Sequence, residues 1–185
     1  MRVASSITRC RNLCYSFSVN IFAIESSCDE TACAVVKDGV KEVCSVVASS
    51  KELHEKTGGI VPEVAARKQV EFIIPVIQET LTKFKESDLG EIEAIAAVAV
   101  TVGPGLTGSL VVGIEAAKAL ALAWKKPIIP VNHLVGHIYA NFIDNENEIV
   151  FPAVALLVSG GHTDLIYLKD HGEFEYLGGT LDDAA

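Results

Sequence analysis

Hydrophobic residues form three short runs near the start of the chain, at residues 21–24, 31–36 and 40–48. Polar residues separate the first two runs, and the pair Asp38-Gly39 lies between the last two. An Asp-Gly pair between apolar runs is a strong signal for a two-residue hairpin turn. The pattern therefore predicts three consecutive antiparallel strands.

Apolar residues then recur at helical spacing between Pro62 and Phe84. Pro62 suits the first position of a helix, because its missing N–H needs no partner there. The spacing predicts a long amphipathic helix that ends near Phe84. Pro75 lies inside this helix, and we expect it to kink the helix or divide it into two.

The middle of the chain predicts alternating strands and helices. A near-continuous apolar run at residues 92–102 is typical of a strand covered on both faces, and we expect it at the centre of the sheet. A small-residue helix to about Trp124, a strand at residues 128–131 and a helix carrying His133 and His137 follow. Strand-like runs then return, at residues 153–158, 165–168 and 174–177.

This order of elements predicts an α/β protein with an actin-like nucleotide-binding fold, by analogy with known folds. We expect a leader at residues 1–20, a first actin-like domain at residues 21–145 and the start of its duplicate at residues 146–185. Three strands alone leave one face and both edges uncovered. The second domain is therefore expected to be truncated.

Composition limits the possible functions. Half of the 185 residues are hydrophobic, which is enough for a core, and the net charge is −9. Such a charge argues against a broad cationic surface, so any RNA contact should be local or shared with a partner. We expect no membrane span, because glycine and charged residues interrupt the apolar stretch at residues 106–124.

The start of the chain and its cysteines bear on location. Arg2, Arg9 and Arg11 precede the first acidic residue, Glu25, which is a weak transit-peptide pattern. Our preferred interpretation is a start codon placed upstream of the true one. The five cysteines are odd in number and lack the spacing of a disulfide or zinc framework. A reducing, cytoplasmic location is expected.

His133 and His137 lie four residues apart in a predicted helix. Residues at this spacing share one face, so both imidazoles can present a nitrogen to one metal ion. Zinc proteases also use this spacing, but they require a glutamate directly after the first histidine, where this chain has Leu134. A structural histidine pair remains the alternative, and the two residues alone do not decide.

A Gly-x-Gly-x-x-Gly spacing occurs at residues 103–108, between a predicted strand and a helix. This is where a dinucleotide fingerprint would lie, but the acidic residue expected about 20 positions further on is missing. A Rossmann-type site is therefore disfavoured. A tight turn with glycines for close packing explains the motif at least as well as phosphate binding.

Polar turns follow two other predicted strands. Residues 25–31 place carboxylates and hydroxyls where actin-like folds keep a phosphate loop, and Asp29 there could position a metal-bound water or a nucleophile. Residues 157–163 include glycines whose N–H groups can approach an anion or an adenylate. Each segment alone also fits an ordinary turn. Cys28 is expected to be structural, because adjacent negative charge raises a thiol pKa.

Together these motifs resemble one family, the tRNA N6-adenosine threonylcarbamoyltransferases, once described as O-sialoglycoprotein endopeptidases. Residues 118–138, with both histidines, look like the signature of that family, including its spacing. Four further segments are similar to its other hallmarks, in the same order: residues 25–31, 58–63, 103–106 and 159–163. The resemblance extends from about Ile21 to Ala185.

The resemblance implies a two-domain actin-like fold in which His133 and His137 bind a divalent metal, iron or alternatively zinc. It also implies that Asp29 lies at the reaction centre. The N6 amine of the adenosine 3′-adjacent to the anticodon would attack the carbamoyl carbon of threonylcarbamoyl-AMP, and AMP would leave. The residues implied to bind this substrate are Leu157, Val158, Ser159, Gly160 and Gly161.

Partners follow from the same resemblance: tRNA, an inactive paralogue and ATPase proteins of the modification complex. The third metal ligand of the family is an Asp near the end of a chain almost twice this length. Asp164 and His162 are possible substitutes, although their positions match the substrate loop. A non-catalytic scaffold of the same complex, or another actin-like protein such as a sugar kinase or carbamoyltransferase, remains an alternative.

Overall fold

The computed structural model describes residues 18–50, 61–88, 90–145, 149–159 and 163–181. Most of the predicted leader and the predicted substrate residues Gly160 and Gly161 lie outside the described residues, as does His162. The chain divides into two compact units, and residues 19–145 form the larger one. The smaller unit includes residues 146–185.

The larger unit contains a five-stranded sheet with the strand order β3-β2-β1-β4-β5. Strands β1, β4 and β5 run parallel to one another, and β2 and β3 are antiparallel neighbours of β1 and of each other. The central strand is β1 rather than the apolar strand β4, which corrects the prediction for residues 92–102. The strands are β1 Asn20–Glu25, β2 Glu30–Lys37, β3 Lys41–Ser49, β4 Ile95–Gly103 and β5 Ile128–Asn132.

The predicted hairpin at Asp38-Gly39 joins β2 to β3. Both residues have positive φ, 55° and 75°, as a two-residue hairpin turn of the primed type requires. The N–H of Val40 donates to the carbonyl oxygen of Lys37 and closes the turn. The prediction of three consecutive antiparallel strands is confirmed.

Helix α1 spans Pro62–Lys85, with Pro62 at its first turn as predicted. It continues through Pro75, so this proline does not divide the helix, and the kink, which was the other expected outcome, stays a prediction. Ile73 and Val76, on either side of the proline, are both buried in the core. The packing of this face against the sheet outweighs the one backbone hydrogen bond that proline removes.

Helix α2 spans Thr107–Trp124 and packs on the sheet and on α1. Among the described residues it is the one helix long and apolar enough to cross a membrane by length and composition. Ala117 and Ala121 belong to the hydrophobic core, and Trp124 packs edge-on against Phe22 with ring centroids 5.4 Å apart. These contacts agree with the predicted core helix. Helix α3, His133–Tyr139, follows β5.

The smaller unit contains a three-stranded antiparallel sheet in the order β6-β7-β8. A turn at His171 and Gly172 connects the last two strands, as predicted. In the part of the chain that the structure describes, the order of strands and α-helices therefore matches the prediction. The strands are β6 Ala153–Val158, β7 Thr163–Asp170 and β8 Glu173–Gly179.

Candidate functional site

The carboxyl ends of the three parallel strands meet at one edge of the larger sheet. Strand β1 ends at Glu25, β4 ends at Gly103 and β5 ends at Asn132. In the ladder, Gly103 is the partner of Asn132, so these ends are level with each other. Open α/β sheets bind ligands beyond the carboxyl ends of their strands, which makes this edge the candidate site.

The predicted histidine pair lies directly after β5. Asn132 caps α3, and its side-chain oxygen accepts hydrogen bonds from the N–H groups of Leu134 and Val135. This cap starts the helix at His133 and places His137 one turn later on the same face. The Nε2 atoms of the two imidazoles are 3.0 Å apart, and the rings meet edge to face at 80°.

This spacing fits two ligands of one metal ion. Imidazole nitrogens bound at about 2.1 Å lie about 3.0 Å apart when their bonds meet at a right angle, and about 3.4 Å apart at a tetrahedral angle. The separation of 3.0 Å also equals the length of an N–H···N hydrogen bond, which His133 and His137 form with each other when no metal is bound. Within the described ranges, no group of three His, Cys, Asp or Glu side chains could hold a metal ion.

Glu25 contacts the histidine pair from the end of β1. Its Oε2 lies 3.2 Å from Nδ1 of His133 and accepts a hydrogen bond of 2.5 Å from the hydroxyl of Thr101. Its Oε1 accepts a hydrogen bond of 2.5 Å from the N–H of Ser27. Burial acts to raise the pKa of this carboxyl, but the hydrogen bonds from Thr101, Ser27 and His133 outweigh it and hold the pKa below its usual value.

Asp29 lies in the turn between β1 and β2, where the sequence predicts a phosphate loop. Its carbonyl oxygen accepts two hydrogen bonds from Ser50, one from the N–H at 2.9 Å and one from the hydroxyl at 2.8 Å. Burial, followed by the neighbouring charge of Asp29, raises the pKa of the Cys28 thiol. A raised pKa disfavours the reactive thiolate, which agrees with a structural Cys28.

Gln69 of α1 forms hydrogen bonds to the same turn. Its side chain is 1 % exposed, and its amide N–H groups donate to the carbonyl oxygens of Cys28 and Glu30 at 3.0 and 2.7 Å. Its oxygen accepts a hydrogen bond of 2.5 Å from the hydroxyl of Thr31. Because the buried amide donates to the residue before Asp29 and to the residue after it, it fixes the backbone on both sides of Asp29.

The glycine-rich segment after β4 packs closely on the turn after β1. A Cβ on Gly105, which has a φ of +159°, would lie 2.6 Å from the carbonyl oxygen of Ser27. That oxygen also accepts a hydrogen bond of 2.7 Å from the N–H of Leu106. Gly105 is therefore required for close packing. This was one of the two interpretations of the glycine-rich motif, the other being phosphate binding.

The predicted substrate residues Leu157, Val158 and Ser159 lie at the end of β6, in the smaller unit. Asp164, a possible substitute for the third metal ligand, pairs with Leu157 in the ladder. Its Oδ1 accepts a hydrogen bond of 3.2 Å from the hydroxyl of Tyr176. Its contact in the structure is thus a tyrosine hydroxyl of the neighbouring strand.

Sequence reasoning missed three residues of the candidate site: Glu25 as the partner of His133, Thr101 and Gln69. One signal was available, because Thr101 is a polar residue near the end of an otherwise apolar strand and is 5 % exposed. A buried polar residue at a strand end needs a partner from a neighbouring strand. Gln69 gave no comparable signal, since glutamine is common on solvated helix faces.

Comparisons with known proteins show the family of the chain. The sequence model of the tRNA N6-adenosine threonylcarbamoyltransferase family matches residues 41–185. The proteins of that name from Symbiobacterium thermophilum and Bacillus subtilis are 57 % and 53 % identical to the chain over 165 and 167 residues. These matches cover 89 % of the chain but 47 % and 46 % of the relatives, so the chain spans about half of their length.

The fold has a counterpart among solved structures. The structure of YeaZ from Pseudomonas aeruginosa superposes with a TM-score of 0.54 at 17 % sequence identity. The superposition covers 90 % of the chain and 67 % of that structure. At this identity the likeness shows the fold alone, and it supports the actin-like α/β class. The family match over residues 41–185, which is more than half of the chain, shows that the chain belongs to the tRNA N6-adenosine threonylcarbamoyltransferase family.

Proposed function

We propose that the chain is the amino-terminal part of an enzyme that moves a threonylcarbamoyl group from threonylcarbamoyl-AMP to tRNA. The acceptor is N6 of the adenosine that lies 3′-adjacent to the anticodon. One observation carries this proposal: His133 and His137 converge, with Nε2 atoms 3.0 Å apart, within the segment that matches the transferase family. The family match supports the proposed reaction, and the geometry of His133 and His137 supports their proposed roles in it.

The two imidazoles fit a divalent cation, either iron or zinc, as two of its ligands. Such a cation, when bound, acts as a Lewis acid that polarises a substrate oxygen. His133 and His137 would hold it at the carboxyl edge of the sheet. Its remaining ligands come from substrate, from water or from chain outside the described residues.

Asp29 is proposed to lie at the reaction centre. Its turn is fixed on one side by Ser50 and on the other by Gln69, so the backbone of Asp29 has a defined position. In the transfer, the N6–C bond forms, the C–O bond to the phosphate of AMP breaks so that AMP leaves, and N6 loses a proton to solvent water. Asp29 would accept a hydrogen bond from the attacking amine and orient it toward the carbamoyl carbon.

The end of β6 is proposed to bind threonylcarbamoyl-AMP. Leu157 and Val158 would supply apolar surface, and Ser159 would supply a hydroxyl. The next two residues of the motif, Gly160 and Gly161, have no side chain, which would permit close approach of the adenylate to the backbone. These roles rest on the motif at residues 157–161 and on its resemblance to the family. We place the reaction in the cytoplasm.

Partner proteins complete the proposal. The net charge of −9 leaves the chain poorly suited to bind tRNA alone, so tRNA binding is shared with an inactive paralogue and with ATPase proteins of the modification complex. A non-catalytic scaffold of the same complex is the second candidate. The retained histidine pair favours the enzyme.

The test measures metal content and transfer in parallel. The purified chain is reconstituted with iron or zinc, and metal per chain is compared in the parent and in the His133→Ala, His137→Ala double variant. We expect the double variant to lose the bound metal. We also expect transfer of labelled threonylcarbamoyl to tRNA, measured with partner proteins present, to fall at least about 100-fold.

His171→Ala is the matched control, since His171 lies in the turn between β7 and β8. It should leave metal content and transfer unchanged. Equal metal content in the parent and the double variant would contradict the proposed metal site. Metal binding by the parent together with equal transfer by the double variant would contradict a catalytic role for the pair and favour the scaffold.

A further inference from the structure

Strand β4 and the turn after β1 together fix the position of the Glu25 carboxylate. Its Oε2 accepts a hydrogen bond from Thr101, which is 5 % exposed on β4, and its Oε1 accepts one from the N–H of Ser27. A carboxylate held by donors on both oxygens cannot rotate freely. The oxygen facing His133 is therefore in place whether or not a ligand is bound.

This oxygen restricts the proton position on His133. In a neutral imidazole one nitrogen carries the proton and the other has a lone pair. A lone pair on Nδ1 would face a carboxylate oxygen at 3.2 Å, which is repulsive, whereas a proton there donates a hydrogen bond. The hydroxyl of Ser27, also 3.2 Å from Nδ1, is compatible with either form. The lone pair then resides on Nε2, which faces His137.

We propose that Glu25 is a positioning residue for the metal site. By accepting a hydrogen bond from Nδ1–H of His133, it fixes the tautomer and the ring orientation that present the Nε2 lone pair to a divalent cation. Thr101 supports this role, because its hydroxyl donates a hydrogen bond to Oε2 of Glu25 and holds that oxygen in place. The inference rests on the proposed function, because it requires His133 to be a metal ligand.

Histidine ligands of protein metal sites commonly donate their second ring N–H to a carboxylate. Here the three groups come from the ends of three adjacent parallel strands: Thr101 from β4, Glu25 from β1, and His133 directly after β5. The fold therefore places all three groups before any metal arrives. A preformed arrangement removes the cost of ordering the ligand on binding.

The substitution Glu25→Gln separates this role from a purely structural one. Ser27 donates to Oε1 of Glu25 and His133 faces Oε2, so an amide in the same position, with oxygen at only one of these two sites, cannot accept both hydrogen bonds. If its oxygen stays with Ser27, its NH2 group faces Nδ1 of His133 and requires a lone pair there. The tautomer of His133 then changes, although the size of the side chain does not.

The first readout is the tautomer in the metal-free chain, measured by long-range ¹H–¹⁵N NMR of ¹⁵N-histidine-labelled protein above the imidazole pKa. The His133→Ala variant assigns the signal. We expect the parent to carry the proton on Nδ1 and Glu25→Gln to shift the population toward Nε2–H. A parent with its proton on Nε2, or an unchanged tautomer in Glu25→Gln, would overturn the inference.

The second readout is the affinity for Zn²⁺ alone, measured by competition with a chromophoric chelator. We expect Glu25→Gln to weaken binding about 10- to 100-fold and Thr101→Val to weaken it less. The control is Glu115→Gln, an exposed glutamate of α2 paired with Lys118, which should change the affinity less than about twofold. Trp124 fluorescence verifies that each variant is folded.

The two proposals fail in different ways. If the histidine variants bind Zn²⁺ as tightly as the parent does, the metal site is wrong, and the positioning role for a cation falls with it. If the histidine variants lose Zn²⁺ but Glu25→Gln binds as the parent does, the inference about Glu25 alone is wrong. If Glu25→Gln does not fold, Thr101→Val is used in its place. In that case, an unchanged His133 tautomer and an unchanged Zn²⁺ affinity in Thr101→Val would count against the inference.

Discussion

Each of the two sheets of this chain contains a strongly apolar strand, β4 in one and β6 in the other, but the sheets differ in how much of their apolar surface is buried. In the five-stranded sheet, Phe22 and Val98 are fully buried beneath helices α1 and α2. In the three-stranded sheet, Val154, Leu156 and Val158 alternate along β6 and are 59 %, 62 % and 64 % exposed. An apolar strand pattern therefore predicts the strand, but the elements packed on it decide whether it is buried.

This difference shows where the stability of the described structure resides. The hydrophobic core cluster belongs to the larger unit, and its members come from β1, β2, β4, α1 and α2. In the described part of the smaller unit, Leu168 is the single buried hydrophobic residue. We expect the larger unit to unfold cooperatively, and the β6–β8 sheet to contribute little to that transition.

The largest expected effect comes from truncating the core of the larger unit. Phe84 is fully buried at the end of α1, so Phe84→Ala should lower the free energy of unfolding by about 3–5 kcal/mol. The measurement is denaturant unfolding followed by fluorescence of Trp124, the single tryptophan, which packs on Phe22.

Phe174→Ala is the matched control, since Phe174 is 38 % exposed on β8. The Trp124 transition should shift by less than about 1 kcal/mol in this variant. Equal shifts in the two variants would show that the sheets unfold as one cooperative unit, contrary to the comparison above.

An intermediate effect is expected where the core meets the candidate site. Gln69→Leu keeps the volume of the side chain but leaves the carbonyl oxygens of Cys28 and Glu30 and the hydroxyl of Thr31 without their partner. Unsatisfied buried groups should cost about 2–3 kcal/mol. Hydrogen exchange should also become faster in the turn that carries Asp29.

Gln78→Leu tests whether this effect depends on burial. Gln78 is an exposed residue of the same helix, so its substitution should change stability by less than about 0.5 kcal/mol. Unchanged exchange at residues 26–31 in Gln69→Leu would mean that Gln69 does not fix the Asp29 turn.

The sequence predicted the order of the elements and the histidine pair because both depend on local spacing. Four-residue spacing placed His133 and His137 on one face, and the Asp-Gly pair located the hairpin. The sequence did not predict the contact between Glu25 and His133, because these residues are 108 positions apart and their proximity depends on the strand order. The continuity of α1 through Pro75 depended likewise on packing that no local rule describes.

The smallest expected effect is a pH dependence from Cys33, which lies within the helix-covered sheet. Burial raises the pKa of this thiol from 9.0 to about 12. As the pH rises above 9, the unfolded chain releases the thiol proton while the folded chain retains it. The contribution to stability is thus fully present below about pH 9 and is lost progressively as the pH rises toward 12.

At about pH 10 this loss amounts to about 1.4 kcal/mol relative to about pH 8. Cys33→Ala should be less stable at both pH values because it loses packing, but its stability should fall less between them. Cys28 and Cys44 remain in both proteins, so their titration cancels in the difference. An identical pH dependence in parent and variant would mean that solvent reaches Cys33 in the folded state. The two sheets would then differ less in their exclusion of solvent than the 1 % exposure of Cys33 indicates.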